Sequence, residues 1–237
     1  MYSKPRLLPA GDRALVVEFG NKVSLDINKK VRALVLTLHR NPIAGVEELV
    51  PSYRSVLIYY DPLRLPLFEL EERLGLLLAD LAEGEDKKAE VTIIPVCYGG
   101  EYGPDLADVA QLTGLKEDEV IEIHTGTDYY IYMLGFTPGY PYLGGLDQRL
   151  IIPRLQNPRT RIPAGSVALA GNQTGIYPIE SPGGWRLIGR TPLRLYDPNR
   201  EPPVLLSAGN YVRFQAISPA RYRELAKQEG ENNAPSI

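Results

Sequence analysis

Tyr129-Tyr130-Ile131-Tyr132-Met133-Leu134 is a β-prone run that stops at Gly135, and it sets the texture of the second half of the chain. Residues 166–170, 185–188, 193–196 and 211–215 are short β-prone pieces of the same kind, joined by Gly/Pro-rich turns. No long helical pattern appears among them until residues 219–228. Many short strands with few helices predict a closed or nearly closed β-barrel. Just upstream, residues 105–112 read as a short helix closed by Thr113-Gly114, and residues 117–124 as another.

Further upstream the pattern changes. Ala14-Leu15-Val16-Val17-Glu18-Phe19 is a strand ended by Gly20-Asn21. Ser24 then caps a helix with Asp26 in its first turn, where the macrodipole favours an acid. Leu25, Val31, Leu34, Val35 and Leu38 keep helical spacing until Asn41-Pro42. Residues 46–50 and 55–60 read as strands parted by Pro51-Ser52, and residues 66–82 as a helix with a leucine face. A charged link at residues 83–88 and a β run at residues 91–96 follow. The order βαββαβ predicts a ferredoxin-like domain, two helices over one face of a four-stranded antiparallel sheet. The expected class is therefore α+β, with a ferredoxin-like domain over residues 1–90, a β-barrel domain over 91–230 and a disordered tail over 231–237.

The chain has 237 residues, 44% of them hydrophobic, which suits one or two globular domains. A net charge of −3 with mixed signs gives no electrostatic case for nucleic acid. No run approaches the roughly 18 apolar residues of a membrane span, and residues 1–6 lack the apolar core of a secretory signal, so no membrane partner is expected and the cytoplasm is the expected setting. The single cysteine, Cys97, lies in apolar surroundings and reads as buried filler. With only His39 and His124 beside it, no Cys/His metal site is expected.

Chemistry concentrates between Gly135 and Gly189, which hold ten of the 22 glycines. Glycine reaches conformations other residues avoid and lets a ligand approach main-chain N–H groups, though a barrel with tight turns needs glycine too. From Gln148 to Arg194 there are seven arginines (149, 154, 159, 161, 186, 190, 194), no lysine, and one acid, Glu180. Arginine without lysine suits capture of a carboxylate or phosphate; the alternative is that these arginines pair with acids elsewhere. Gln173, Thr174 and Tyr177 offer an amide, a hydroxyl and a phenol within a few positions. Ser181 lies in Ser181-Pro182-Gly183-Gly184-Trp185, which sets the only tryptophan beside a flexible turn. Trp185 there suits either stacking on a planar ligand or a core role. No nucleophile elbow surrounds Ser181. His124 ends a predicted helix, as a dipole partner or as a proton carrier. No Walker loop and no Gly-x-Gly-x-x-Gly after a strand is present.

His124…Tyr132…Leu134-Gly135-Phe136-Thr137-Pro138-Gly139-Tyr140-Pro141-Tyr142-Leu143-Gly144-Gly145-Leu146 resembles the first signature of a known family. So do Pro158-Arg159…Ile162-Pro163-Ala164-Gly165-Ser166-Val167-Ala168-Leu169-Ala170-Gly171, Gln173-Thr174-Gly175-Ile176-Tyr177-Pro178, Ser181-Pro182-Gly183-Gly184-Trp185 and Ile188-Gly189-Arg190-Thr191-Pro192. Pro9-Ala10-Gly11-Asp12-Arg13-Ala14 resembles its opening, and Tyr140 departs from the phenylalanine more usual there. The family is that of the B-type 5-oxoprolinase subunit, also called KipI or allophanate hydrolase subunit 1. The resemblance implies a small N-terminal α/β domain and a C-terminal cyclophilin-like β-barrel. It implies a heteromer with a homologous barrel protein (the C-type subunit) and a TIM-barrel-like protein (the A-type subunit). That heteromer would open 5-oxoproline to glutamate with ATP as co-substrate and no prosthetic group in this chain. ATP handling then uses another architecture or another chain. The expected catalytic residues are His124, Arg159 and Arg190, and the expected substrate-binding residues are Gln173, Thr174, Tyr177, Arg161, Ser181 and Trp185, with no metal. Two other roles come with the same resemblance: inhibition of a sensor histidine kinase, and the carboxyltransferase half of a urea carboxylase. The chain carries neither a biotin carboxylase segment nor the Met-Lys-Met of a biotin carrier.

Overall fold

The computed structural model describes residues 2–79, 81 and 89–232, and the chain divides into two units, Met1–Lys88 and Ala89–Ile237. The charged link expected at residues 83–88 and the tail from 233 lie outside the described residues.

In the first unit, strands β1 (Arg6–Pro9), β2 (Ala14–Glu18), β3 (Val46–Pro51) and β4 (Ser55–Tyr60) form one sheet in the order β1-β2-β4-β3, antiparallel throughout. Helix α1 (Leu25–Arg40) starts where expected, the Ser24 hydroxyl accepting from the Ile27 N–H at 3.3 Å. Helix α2 (Leu67–Ala79) places Leu70 and Leu74 in a core with Leu15, Val17, Val31, Leu34, Val56 and Ile58. The four antiparallel strands are those of the expected sheet in number and sense, but the order within the unit is ββαββα and the ferredoxin-like βαββαβ arrangement is not found. One of the two edge strands is β1, four residues long, largely exposed and carrying a proline. The run at residues 91–96 belongs to the second unit.

There, β5 (Val91–Tyr98), β6 (Asp128–Leu134), β7 (Pro141–Gly144), β9 (Ser166–Ala170), β10 (Gln173–Ile176), β12 (Arg186–Arg190) and β13 (Tyr211–Ala216) close a seven-stranded barrel in the order β10-β7-β6-β13-β5-β12-β9. Only the β5–β13 pair is parallel. A separate two-stranded sheet joins β8 (Arg159–Ile162) to β11 (Ser181–Gly183). Helices α3 (Leu106–Thr113) and α4 (Glu117–Thr125) add Leu106, Val109, Ala110 and Val120 to the barrel core. Helix α5 (Pro219–Asn232) ends the described chain, running two residues into the span read as tail. Residues 193–196 form no strand, and only Tyr196 makes a bridge, to Val204. Among the described residues no helix is long and apolar enough to cross a membrane.

Strand β9 is buried on both faces. Side chains alternate across a strand, so Val167 and Leu169 enter the barrel core while Ala168 and Ala170 join a second cluster with Tyr140, Ile162, Tyr177, Trp185 and Leu187. The barrel thus has a filled interior and a smaller apolar cluster on the outer face of β9. The candidate site lies at this second cluster.

Candidate functional site

A cleft of about 200 Å³ opens beside the outer cluster. Its walls are Phe136, Tyr140, Tyr142, Tyr177 and Trp185, with Arg154, Gln173 and the Pro182-Gly183-Gly184 turn completing it. Tyr140 is the hub: its ring meets those of Phe136, Tyr142, Tyr177 and Trp185 edge-on at 5.7, 5.4, 5.5 and 6.1 Å. Two glycines make this packing possible. A Cβ at Gly175 would stand 2.7 Å from the Tyr140 hydroxyl and 3.1 Å from the Trp185 ring, and one at Gly183 only 2.4 Å from the Tyr177 hydroxyl. Burial pushes the Tyr177 phenol up to about 12, outweighing the Trp185 backbone hydrogen bond to it and the nearby Arg154 and Arg159, so it stays protonated at neutral pH.

At the rim, Phe136 is 68% exposed and has φ +67°, a conformation costly for a residue with a Cβ. The Thr137 N–H donates to the Gly135 carbonyl at 2.8 Å across it, closing a three-residue turn. Strain of this kind collects at functional sites. The Arg154 guanidinium lies 5.9 Å from the Trp185 ring centroid. Arg154 makes no ion pair with a carboxylate among the described residues.

Of the residues expected from sequence to form the site, Gln173, Tyr177 and Trp185 line the cleft. Ser181 starts the neighbouring strand and donates from its hydroxyl to the Ile179 carbonyl at 3.4 Å. His124 and Thr174 lie elsewhere, in the barrel interior. His124 is 0% exposed and stacked on Phe214 at 4.4 Å. The Thr174 hydroxyl stands 3.2 Å from the Ala168 carbonyl and 2.9 Å from His124 Nε2. The one hydroxyl proton goes to the carbonyl, so Nε2 carries the ring proton and Nδ1 accepts from the Tyr98 hydroxyl at 2.7 Å. Burial alone lowers the His124 pKa to about 3, which keeps the ring neutral. His124 is therefore a satisfied core residue, and its reading as a proton carrier gives way to one as a structural link between α4 and β10.

The arginines divide. Arg159 makes a two-pronged pair with Asp105 at 2.9 and 2.7 Å, and Asp105, 5% exposed, also accepts the Leu187 N–H at 2.7 Å. Arg161 pairs with Glu180, Arg149 with Asp147, Arg186 with Asp108 and Arg194 with Asp197. Each of these five arginines thus pairs with an acid in the folded chain. Arg190 lies at the far end of β12 from Trp185, about 16 Å along the strand at 3.3 Å per residue. There it sits beside Tyr222 of α5, and its Nε is buried with no hydrogen-bond partner. Cys97 is buried at 1% exposure, and desolvation, with Glu101 adding to it, raises its thiol pKa. Three cleft side chains escaped the sequence reading as site residues, Phe136, Tyr140 and Tyr142, and their signal was the aromatic density of residues 136–142; Arg154 was one of the seven arginines but was not singled out among them.

Residues 5–206 match the family model of the carboxyltransferase domain, subdomain C and D. Over 226 residues the chain is 43% identical to the B-type 5-oxoprolinase subunit of Bacillus subtilis (strain 168), covering 90% of this chain and 92% of that one. The crystal structure of TTHA0988 is similar with a TM-score of 0.78 and 42% identity, covering 87% of this chain but 40% of that one, so this chain spans less than half of its length. The urea carboxylase of Kluyveromyces lactis shares the fold at a TM-score of 0.76 and 21% identity, covering 95% of this chain and 23% of that one.

Proposed function

The chain belongs to the family of the carboxyltransferase domain, subdomain C and D, and from that premise we propose that it is the B-type subunit of an ATP-dependent 5-oxoprolinase. In this reading it works beside a homologous C-type partner and a TIM-barrel-like A-type partner. One water adds to the lactam carbonyl of 5-oxoproline and the ring C–N bond breaks to give glutamate, while a second water is consumed as ATP becomes ADP and phosphate. The identity to the Bacillus subtilis protein supports the reading, and one structural observation carries it to a site. Of the ten residues that line the cleft, nine come from three separate signature blocks: residues 134–146, 173–178 and 181–185. Two separated stretches of sequence, residues 134–146 and 173–185, converging on one concave surface is what a shared ligand site requires.

The chain's own contribution is binding and orientation. Aromatic walls hold a flat ring and exclude water from it, and Arg154 supplies a cation in a place without a paired acid. Tyr177 is a neutral donor at working pH. Arg159 acts behind the cleft, fixing β8 to the start of α3 through Asp105. No residue here is assigned to ATP, which is a co-substrate of the complex. A lone, buried cysteine suits a cytoplasmic setting.

The test is reconstitution: this chain mixed with its candidate A-type and C-type partners, with ADP release measured as 5-oxoproline is added. Release that depends on 5-oxoproline and on all three chains is expected. A folded, complete complex that releases none overturns the reading, and kinase inhibition by the chain alone would favour the inhibitor role.

A further inference from the structure

We propose that the outer-face cleft seats a small planar ring acid and excludes the nucleotide, with Arg154 taking the carboxylate and Trp185 the ring face. The inference rests on the oxoprolinase reading for the identity of the acid, though the chemistry of the cleft stands by itself.

Size decides against the nucleotide. The cleft's volume is about 200 Å³. That is below the roughly 300–1,000 Å³ of pockets that enclose drug-sized ligands. A single five-membered ring with one carboxylate fits; a nucleoside triphosphate, several times larger, does not.

Charge and shape select the acid. Among the described residues Arg154 is the only charged one of the lining, and no carboxylate lines the cleft. Its guanidinium sits over Trp185 at 5.9 Å rather than in an ion pair. A planar fork beside an aromatic face presents two parallel N–H donors to a carboxylate while the attached ring lies against the indole. Gln173 brings an amide to the same space, which matches a lactam in carrying both donor and acceptor. The neighbouring Arg159 and Arg161 do not line the cleft, and Arg159 is held by the buried Asp105.

Trp185 is the only tryptophan, so its fluorescence reports on the cleft directly. The full chain is titrated with 5-oxo-L-proline, with 2-pyrrolidinone (the same ring without the carboxylate) and with Mg-ATP. A saturable change with 5-oxoproline, a much weaker one with 2-pyrrolidinone and none with Mg-ATP are expected. Arg154→Gln should weaken 5-oxoproline binding roughly ten-fold or more and leave 2-pyrrolidinone unchanged, while Arg221→Gln, on α5, should change nothing. In the reconstituted complex Arg154→Gln should raise KM for 5-oxoproline and leave KM for ATP alone; should the isolated chain give no response, this measurement decides. Saturation by Mg-ATP, or an Arg154→Gln complex with an unchanged KM for 5-oxoproline, overturns the proposal. An Arg154-dependent titration from a chain whose complete complex shows no turnover would instead leave the cleft standing and remove the oxoprolinase reading.

Discussion

The Asp105 carboxylate accepts both terminal nitrogens of Arg159 and the Leu187 N–H, so three donors meet one buried anion. Removing the arginine strands that charge, with the Arg159 side chain 31% and the Asp105 side chain 7% exposed. Arg159→Ala should therefore lower stability by about 3 kcal/mol, the low end for a broken buried pair because one partner is partly solvated, as read from the urea midpoint at an unchanged m-value. A variant of full stability would mean that solvent replaces the pair. The arginine pattern was legible from sequence, and its explanation was not. Counting within residues 148–194 shows seven cations and one acid. Yet Asp105 and Asp108, the partners of Arg159 and Arg186, lie well upstream of that window and reach it only through the fold, while Asp147 and Asp197 stand just beyond its two ends. Charge counts along a chain are silent about charges brought up from elsewhere.

Strand alternation separates residues that sequence places side by side. Thr174 points into the barrel toward His124 while Gln173 lines the outer cleft, because neighbours on β10 face opposite ways. The period-two rule was available from sequence once β10 was known to be a strand; grouping Gln173 with Thr174 overlooked it. Strands β6, β9, β12 and β13 were legible as β-rich runs, but which sheet a run joins was not. Residues 91–96 have the same alternation whether they end the first sheet or pair with β13. Two substitutions test how the elements build the cleft. Gly175→Ala pushes a methyl against Tyr140 and Trp185, so Trp185 emission should shift and 5-oxoproline binding weaken while far-UV circular dichroism is retained. At the rim, Phe136→Gly relieves about 1 kcal/mol of left-handed strain and loses a similar amount through the freer unfolded chain. Its stability should stay within about 0.5 kcal/mol of the parent, yet its ligand affinity should fall, because Phe136 is a cleft wall. Unchanged affinity would make the strained turn a structural feature only.

At the scale of the whole molecule, the resolved shifts of acids and of histidine all lie in the second unit and point the same way in pH. His124 is lowered from 6.5 to about 3 by burial. Its folded pKa is below its unfolded one, so between these values the unfolded chain binds a proton that the folded chain refuses, and stability falls as pH drops through that window. The full effect is about 5 kcal/mol at most, from 1.36 kcal/mol per unit. Asp147 is lowered to about 2, chiefly by its hydrogen bond with Arg149. Asp128 and Asp197 are lowered too, by a hydrogen bond from Arg213 and by the Asn199 N–H respectively. For these three the stabilisation is complete above the ordinary aspartate value and is lost only as pH falls below it toward each folded pKa. Two regimes follow: a decline set by His124 that begins near pH 6.5, and a steeper one, joined by the carboxylates, below about pH 4. His124→Phe keeps an aromatic ring on Phe214 but leaves the Tyr98 hydroxyl without its acceptor, at a cost of about 1–3 kcal/mol near neutrality. Its urea midpoint, followed by Trp185 fluorescence across the range, should be lower than the parent's at pH 7, flat where the parent's declines, and convergent with the parent's slope once the carboxylates protonate. A parent midpoint that is flat between pH 6.5 and 4.5 would mean that His124 accepts its proton without unfolding the barrel, and that the neutral Tyr98–His124–Thr174 chain is not what holds α4 to β10.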